Sequence, residues 1–257
     1  AFTGNKFEFR AVSSNQSIGY PNIALNIAVT ESLDYMATEL EALIKGGKSL
    51  PQAVAELLPK VIKENKQIIF NGNGYSDEWT AEAAARGLLN LKNTVDALPE
   101  MVSDGVIGLF EKYGVLTGRE LHARYEIMLE TYNKTVNVEG QLMVLMANRY
   151  ILPAAFRYQK EVGESVVAVM AAGGDSAAGK KALDRLSGLI NVFKQRTDTL
   201  ATALEHEGGA AEAHAKHFRD QVVPAMTALR ETGDSLELMI PHDLWPLATY
   251  REMLFVK

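Results

Sequence analysis

Thr117–Tyr150 reads TGRELHARYEIMLETYNKTVNVEGQLMVLMANRY. Thr117 stands three residues before Glu120, the spacing at which a threonine and a glutamate cap a helix start reciprocally. Beyond it, Leu121, Tyr125, Met128, Tyr132, Val136, Met143, Met146 and Tyr150 recur mostly at steps of three and four. That period places them on one stripe of a long helix. Glu139 falls where a core residue is due, which marks it as a candidate buried carboxylate paired with a cation of a neighbouring helix. Pro153 should kink or break the helix, because it lacks an N–H and crowds the preceding turn. The pattern then resumes to about Ala172.

Two more stripes follow. Leu183, Leu186, Ile190, Phe193, Thr197, Leu200 and Leu204 are spaced close to a heptad. Ala211, Ala215, Phe218, Val222, Ala225, Leu229, Leu236 and Ile240 form the last, with a bend expected at Pro224. Gly173, Gly174, Gly208 and Gly209 separate them. Long stripes joined by short turns predict antiparallel packing in a bundle. No internal repeat is visible.

Upstream, Pro99–Tyr113 reads as one helix ended by Gly114. NGNGYSDEW (Asn71–Trp79) is rich in glycine but lacks the lysine and spacing of a phosphate-binding P-loop. A tight turn followed by a helix capped by Ser76 explains it better. Gln67–Phe70 suits a short strand or an extended connector. Ser49 and Pro51 open a helix to about Asn65, with Val54, Leu57, Leu58, Val61 and Ile62 inward. Ile23–Ile44, with Asn22 as its cap, is apolar on most sides, which predicts a buried helix resting on a sheet.

The chain begins AFTGNKFEFR (Ala1–Arg10), and residues 5–12 read as a strand. Alternation puts Lys6, Glu8 and Arg10 on one face and Phe7 and Phe9 on the other. A carboxylate between two cations suits a site for Mg²⁺ or Mn²⁺ and phosphate oxygens. By spacing alone, a solvated or cross-strand-paired charged face is the commoner explanation.

The stretches AFTGNKFEFRAVSSNQSIGYPN, IIFNGNGYSDEW, RGLLNLKNTVDALP, RYEIMLETYNKTVNVE, ILPAAFRYQ and LWPLATYREMLF together resemble the type III glutamine synthetases. The resemblance runs from end to end. It implies that Glu8 ligates a divalent metal and that Arg10 is catalytic, binding the anionic reacting groups. It gives Lys6 the place of a residue that contacts nucleotide phosphate, though lysine lacks the planar fork of arginine. The implied fold class is α+β, the end of a glutamine-synthetase-like catalytic sheet domain followed by a mostly helical C-terminal bundle. The expected division is 1–66 for the catalytic part, 67–98 for a connecting region and 99–257 for the helical region. The implied reaction joins ammonia to L-glutamate through a glutamyl phosphate, with ATP as co-substrate and Mg²⁺ or Mn²⁺ as cofactor. A homo-oligomeric ring is implied as well. With no initiator Met and a strand beside residue 1, the chain is expected to be an inactive piece of a longer parent. The alternative function is a non-catalytic helical module for oligomerisation or interaction.

Composition narrows the rest. A net charge of −6 and a pI near 5.5 lack the basic footprint of a nucleic-acid binder. The absence of cysteine excludes disulfide and thiol chemistry and fits a cytoplasmic setting. No apolar run approaches a membrane span. His206, His214 and His217 invite a metal reading, but no HExxH pattern accompanies them, and a solvated helix face is the expectation.

Overall fold

The computed structural model describes residues 17–206, 209–248 and 250–254. Among them every regular element is helical and no strand is present. The α+β expectation is therefore corrected to an all-helical fold for the described chain. The predicted strand at 5–12 lies outside the described residues. The Ile23–Ile44 helix, expected to rest on a sheet, packs on other helices among the described residues. Two compact units divide at His122/Ala123, inside one continuous helix.

In the first unit, α1 (Gly19–Lys45) packs on α2 (Leu50–Glu64) and α5 (Asp104–Lys112). Helix α1 starts three residues before the expected cap at Asn22. Pro21 sits in its first turn, where a missing N–H has no intrahelical acceptor to lose. Burial on most sides is not found: Ile27 is the one buried residue of α1, while Val29 and Leu33 are more than half exposed. Composition signalled burial, but the described neighbours cover only one side. Gly47, at φ +95°, ends the helix in a conformation that favours glycine. Ser49 and Gln52 then cap α2 reciprocally, as the Ser49–Pro51 start predicted. Ala53 and Leu57 are buried in α2, whereas Leu58 and Ile62 face solvent.

Lys66–Ile68 is a 3₁₀ turn rather than a strand. Next come α3 (Asp77–Ala85), capped by Ser76, and α4 (Thr94–Ala97), capped by Asn93. The single helix expected over Pro99–Tyr113 is interrupted. A 3₁₀ turn spans Leu98–Val102, and extended Ser103 restarts the chain as α5. Gly114, at φ +62°, terminates it as expected.

Helix α6 (Gly118–Met146) opens with the predicted capping box. Thr117 N donates to Glu120 Oε2 at 2.8 Å, and Glu120 N donates to Thr117 Oγ1 at 3.3 Å. Its later part belongs to the second unit, with α7 (Leu152–Ala171), α8 (Ala177–Leu204), α9 (Ala211–His217), α10 (Val223–Glu237) and α11 (Tyr250–Leu254). Helix α8 packs on both α7 and α10. The α8 stripe is the spine of the core: Leu186, Ile190, Phe193, Thr197 and Leu200 are all buried. Thr197 satisfies its hydroxyl by donating to Phe193 O at 2.8 Å. Arg196 ties α8 to α10, donating to Ala228 O at 2.5 Å and Thr232 Oγ1 at 2.6 Å.

Neither Pro153 nor Pro224 breaks its helix. Each follows a five-residue π-helical stretch, Ala147–Ile151 before Pro153 and Phe218–Val222 before Pro224. The wider turn moves the carbonyl that the proline ring would strike and absorbs the missing N–H. It also adds a residue to the stripe. Burial passes from Ala147 directly to Leu152, a step of five, and Tyr150 is left about half exposed. Glu139 is exposed as well, so the buried-carboxylate reading is corrected. At that level of α6 the buried positions are Val136 and Gly140. A Cβ on Gly140 would lie 2.9 Å from Leu204 Cδ2 on α8.

Candidate functional site

Lys6, Glu8 and Arg10, the residues the sequence singles out, lie outside the described residues. Among the described residues, no group of three or more His, Asp or Glu side chains is arranged to hold a metal ion. Three polar clusters are nonetheless built by the fold, and two of them draw on residues far apart in sequence.

The first joins α1 to α5. Lys112 Nζ lies 2.8 Å from Glu31 Oε2 and 3.1 Å from Asp34 Oδ2. The Tyr113 hydroxyl stands between the same carboxylates, 2.5 Å from Glu31 and 2.9 Å from Asp34. The Lys112 ammonium, then the phenol, hold the Glu31 carboxyl below its usual range. For Asp34 the phenol leads and Lys112 follows. Lys112 is pushed up, mainly by Glu31. Tyr113 is raised too, by burial first and then by Glu31. Both carboxylates are thus occupied by a cation and a hydroxyl, and the cluster is a clasp between helices. The lowered carboxylates contribute stability that is present above their ordinary range near pH 4–5 and is lost as pH falls through the folded values. The raised lysine contributes below its ordinary range near pH 10 and loses that contribution as pH rises further. Tyr113→Phe should therefore move the acid-unfolding midpoint of this unit to higher pH, read by circular dichroism. The shift should shrink in high salt, because the groups are half exposed.

The second cluster orders the loop before α3. Arg86 Nη1 donates to Gln67 O and Ile69 O, each at 2.9 Å, and the guanidinium also pairs with Glu82. It lies 5.4 Å from the Trp79 ring, which stacks on Phe70 at 4.6 Å. Within Asn71–Trp79 the amides of Tyr75, Ser76 and Trp79 bond to Asn73 Oδ1, Asn73 O and Ser76 Oγ. These donors are used locally, so the loop is the predicted turn and cap, not a phosphate cradle. Arg86→Ala should leave the carbonyls of Gln67 and Ile69 without this partner. Amide hydrogen exchange across residues 66–79 should then accelerate about tenfold or more, the scale of one charge-assisted hydrogen bond.

The third cluster lies between α8 and α9. The His206 ring stacks on His217 at 4.0 Å and meets His214 edge-on at 4.9 Å. Stacked imidazoles hold their lone pairs parallel, so they do not converge on one ion. His217 Nε2 is 2.8 Å from Ala203 O, which occupies that nitrogen. Burial, then the neighbouring histidines, lower the His206 pKa. The metal reading stays discounted, but the rings form a packed group where a solvated helix face was expected.

The sequence comparisons supply what these clusters do not. The model of the glutamine synthetase C-terminal domain family matches residues 53–170, which run through both compact units. A type-3 glutamine synthetase of Dictyostelium discoideum is 32% identical over 265 residues, covering 100% of this chain. The chain belongs to the glutamine synthetase family. A glutamine synthetase of Butyrivibrio fibrisolvens is 33% identical across 99% of the chain, and one of Bacteroides fragilis is 30% identical across all of it. The chain spans only 36–37% of the length of these relatives and corresponds to their C-terminal portion. The clusters at Glu31, Arg86 and His206 organise the helical portion. Sequence reading missed the first two clusters. Glu31 and Tyr113 stand 82 residues apart, and no local pattern connects them.

Proposed function

We propose that the protein of which this chain forms the C-terminal portion joins ammonia to L-glutamate, with ATP phosphorylating the side-chain carboxylate before ammonia displaces phosphate. The observation that carries this reading is end-to-end similarity to three glutamine synthetases, at 30–33% identity. In it, Glu8 ligates Mg²⁺ or Mn²⁺, Arg10 holds the anionic reacting groups, and Lys6 contacts nucleotide phosphate. The described residues offer no metal site of their own, so the metal role rests on Glu8 and on residues beyond the helical units. The protein works in the cytoplasm as a homo-oligomer, and no described helix is long and apolar enough to cross a membrane. The helical portion supports assembly: Val138, Leu142 and Leu145 present an exposed apolar stripe on α6.

Arg10→Lys tests the catalytic part of the reading. Charge is kept, but the planar two-point grip on carboxylate or phosphate oxygens is lost. The expected result is a drop in kcat of about 10²-fold or more with a smaller change in KM, because the developing charge belongs to the transition state. Full kcat in the variant would remove Arg10 from the catalytic machinery.

A further inference from the structure

A cleft of about 390 Å³ opens in the second unit, between the π-helical end of α6, helices α8 and α10, and the segment after α10. Its walls are apolar, with Met146, Ile151, Phe193, Leu229, Trp245 and Leu247 among them. The volume falls within the range of small-molecule sites. The π-helical stretch helps to make it, since the wider turn sets Ala147 and Ile151 along one wall.

The rim is charged and unevenly paired. Arg230, Asp234 and Glu237 all stand on α10. Arg230 Nε bonds Asp234 Oδ1 at 2.7 Å, which neutralises both. Glu237, one turn on, has no cation within ion-pairing distance among the described residues. A second deficit lies in the wall. Trp245 is 8% exposed, and its buried Nε1–H has no acceptor among the described residues. Buried donors normally find one, so the wall lacks a lone pair that none of the described residues provides. The Trp245 ring also offers a π-face to a cation.

We propose that this cleft binds a small primary ammonium compound with an apolar body and a neutral hydrogen-bond acceptor. The apolar body fills the cleft, the ammonium pairs with Glu237, and the acceptor meets Trp245 Nε1–H. An anionic ligand is disfavoured, because Arg230, the only cation among the described rim residues, is already bonded to Asp234 while Glu237 would repel it.

L-Phenylalaninamide is the probe, titrated calorimetrically into the intact protein that carries this chain. N-Acetyl-L-phenylalaninamide, which is neutral, and N-acetyl-L-phenylalanine, which is anionic, are the comparisons. The cation should bind most tightly and the anion least. Glu237→Gln, at an exposed position, should weaken the cation about fivefold and leave the neutral amide unchanged. Trp245→Phe should weaken both amides. No binding of the cation at about 10 mM, the weak end of the affinity scale, overturns the proposal. So does an anion that binds as well as the cation, or cation binding that Glu237→Gln leaves untouched, which would place it elsewhere in the protein.

Discussion

Glu8→Ala in the intact parent protein should abolish glutamine formation, with turnover falling on the order of 10³-fold or more. A divalent metal supplies several kcal/mol of charge stabilisation in phosphoryl transfer, and losing a ligand forfeits much of that. Alanine offers no oxygen to the ion, and the two cations flanking position 8 are then left without the carboxylate between them. Metal affinity should fall alongside activity, measured by titrating Mn²⁺ or Mg²⁺ into the apoprotein. Fold and assembly should persist, because only one side chain is shortened. Wild-type activity with unchanged metal affinity would remove Glu8 from the site. A collapse of assembly would instead give Glu8 a structural role.

Phe193→Ala should destabilise the second unit by about 3–5 kcal/mol, the cost of deleting a buried ring and leaving a cavity. Phe193 is 1% exposed and stands midway along the α8 spine. It packs close to α10: a Cβ on Gly233 would come within 3.4 Å of its Cε2. The melting transition of this unit should fall by about 10 °C or more, followed by circular dichroism. Val192→Ala, one position away on a 40% exposed site, should change stability by under about 1 kcal/mol. Equal effects of the two would contradict the placement of the core.

The two substitutions fall on parts of the chain that the sequence reveals to different degrees. The α8 stripe is legible almost residue by residue, because a long amphipathic helix declares its inward face by period alone. Helix starts are legible where a cap is chemical, as at Thr117–Glu120 and Ser49–Gln52. Helix α1 shows the limit. Its apolar composition signals burial, but burial depends on which neighbours arrive, and α2 and α5 cover one side. The prolines show another: the sequence marks where a helix must respond, and the response can be a widened turn that shifts the stripe by one residue. Extending one period along α6 puts both Tyr150 and Glu139 on the inward stripe. The structure exposes Tyr150 within the widened turn, and it places Val136 and Gly140, rather than Glu139, on the buried side. The clasp of Glu31, Asp34, Lys112 and Tyr113 depends on the meeting of α1 and α5, which no local pattern encodes. The Lys6, Glu8 and Arg10 constellation is legible only through family resemblance, since its spacing alone fits an ordinary charged strand.

The most direct test of the central claim is a crystal structure of the intact parent protein with Mn²⁺ and a non-hydrolysable ATP analogue, with the metal located by anomalous scattering. The account predicts an anomalous peak within about 2.0–2.6 Å of a Glu8 carboxylate oxygen, the range for hard divalent ions on oxygen ligands. It also predicts Arg10 directed at the same site. A fully ligated metal centre with the Glu8 carboxylate more than about 4 Å from any ion would contradict it.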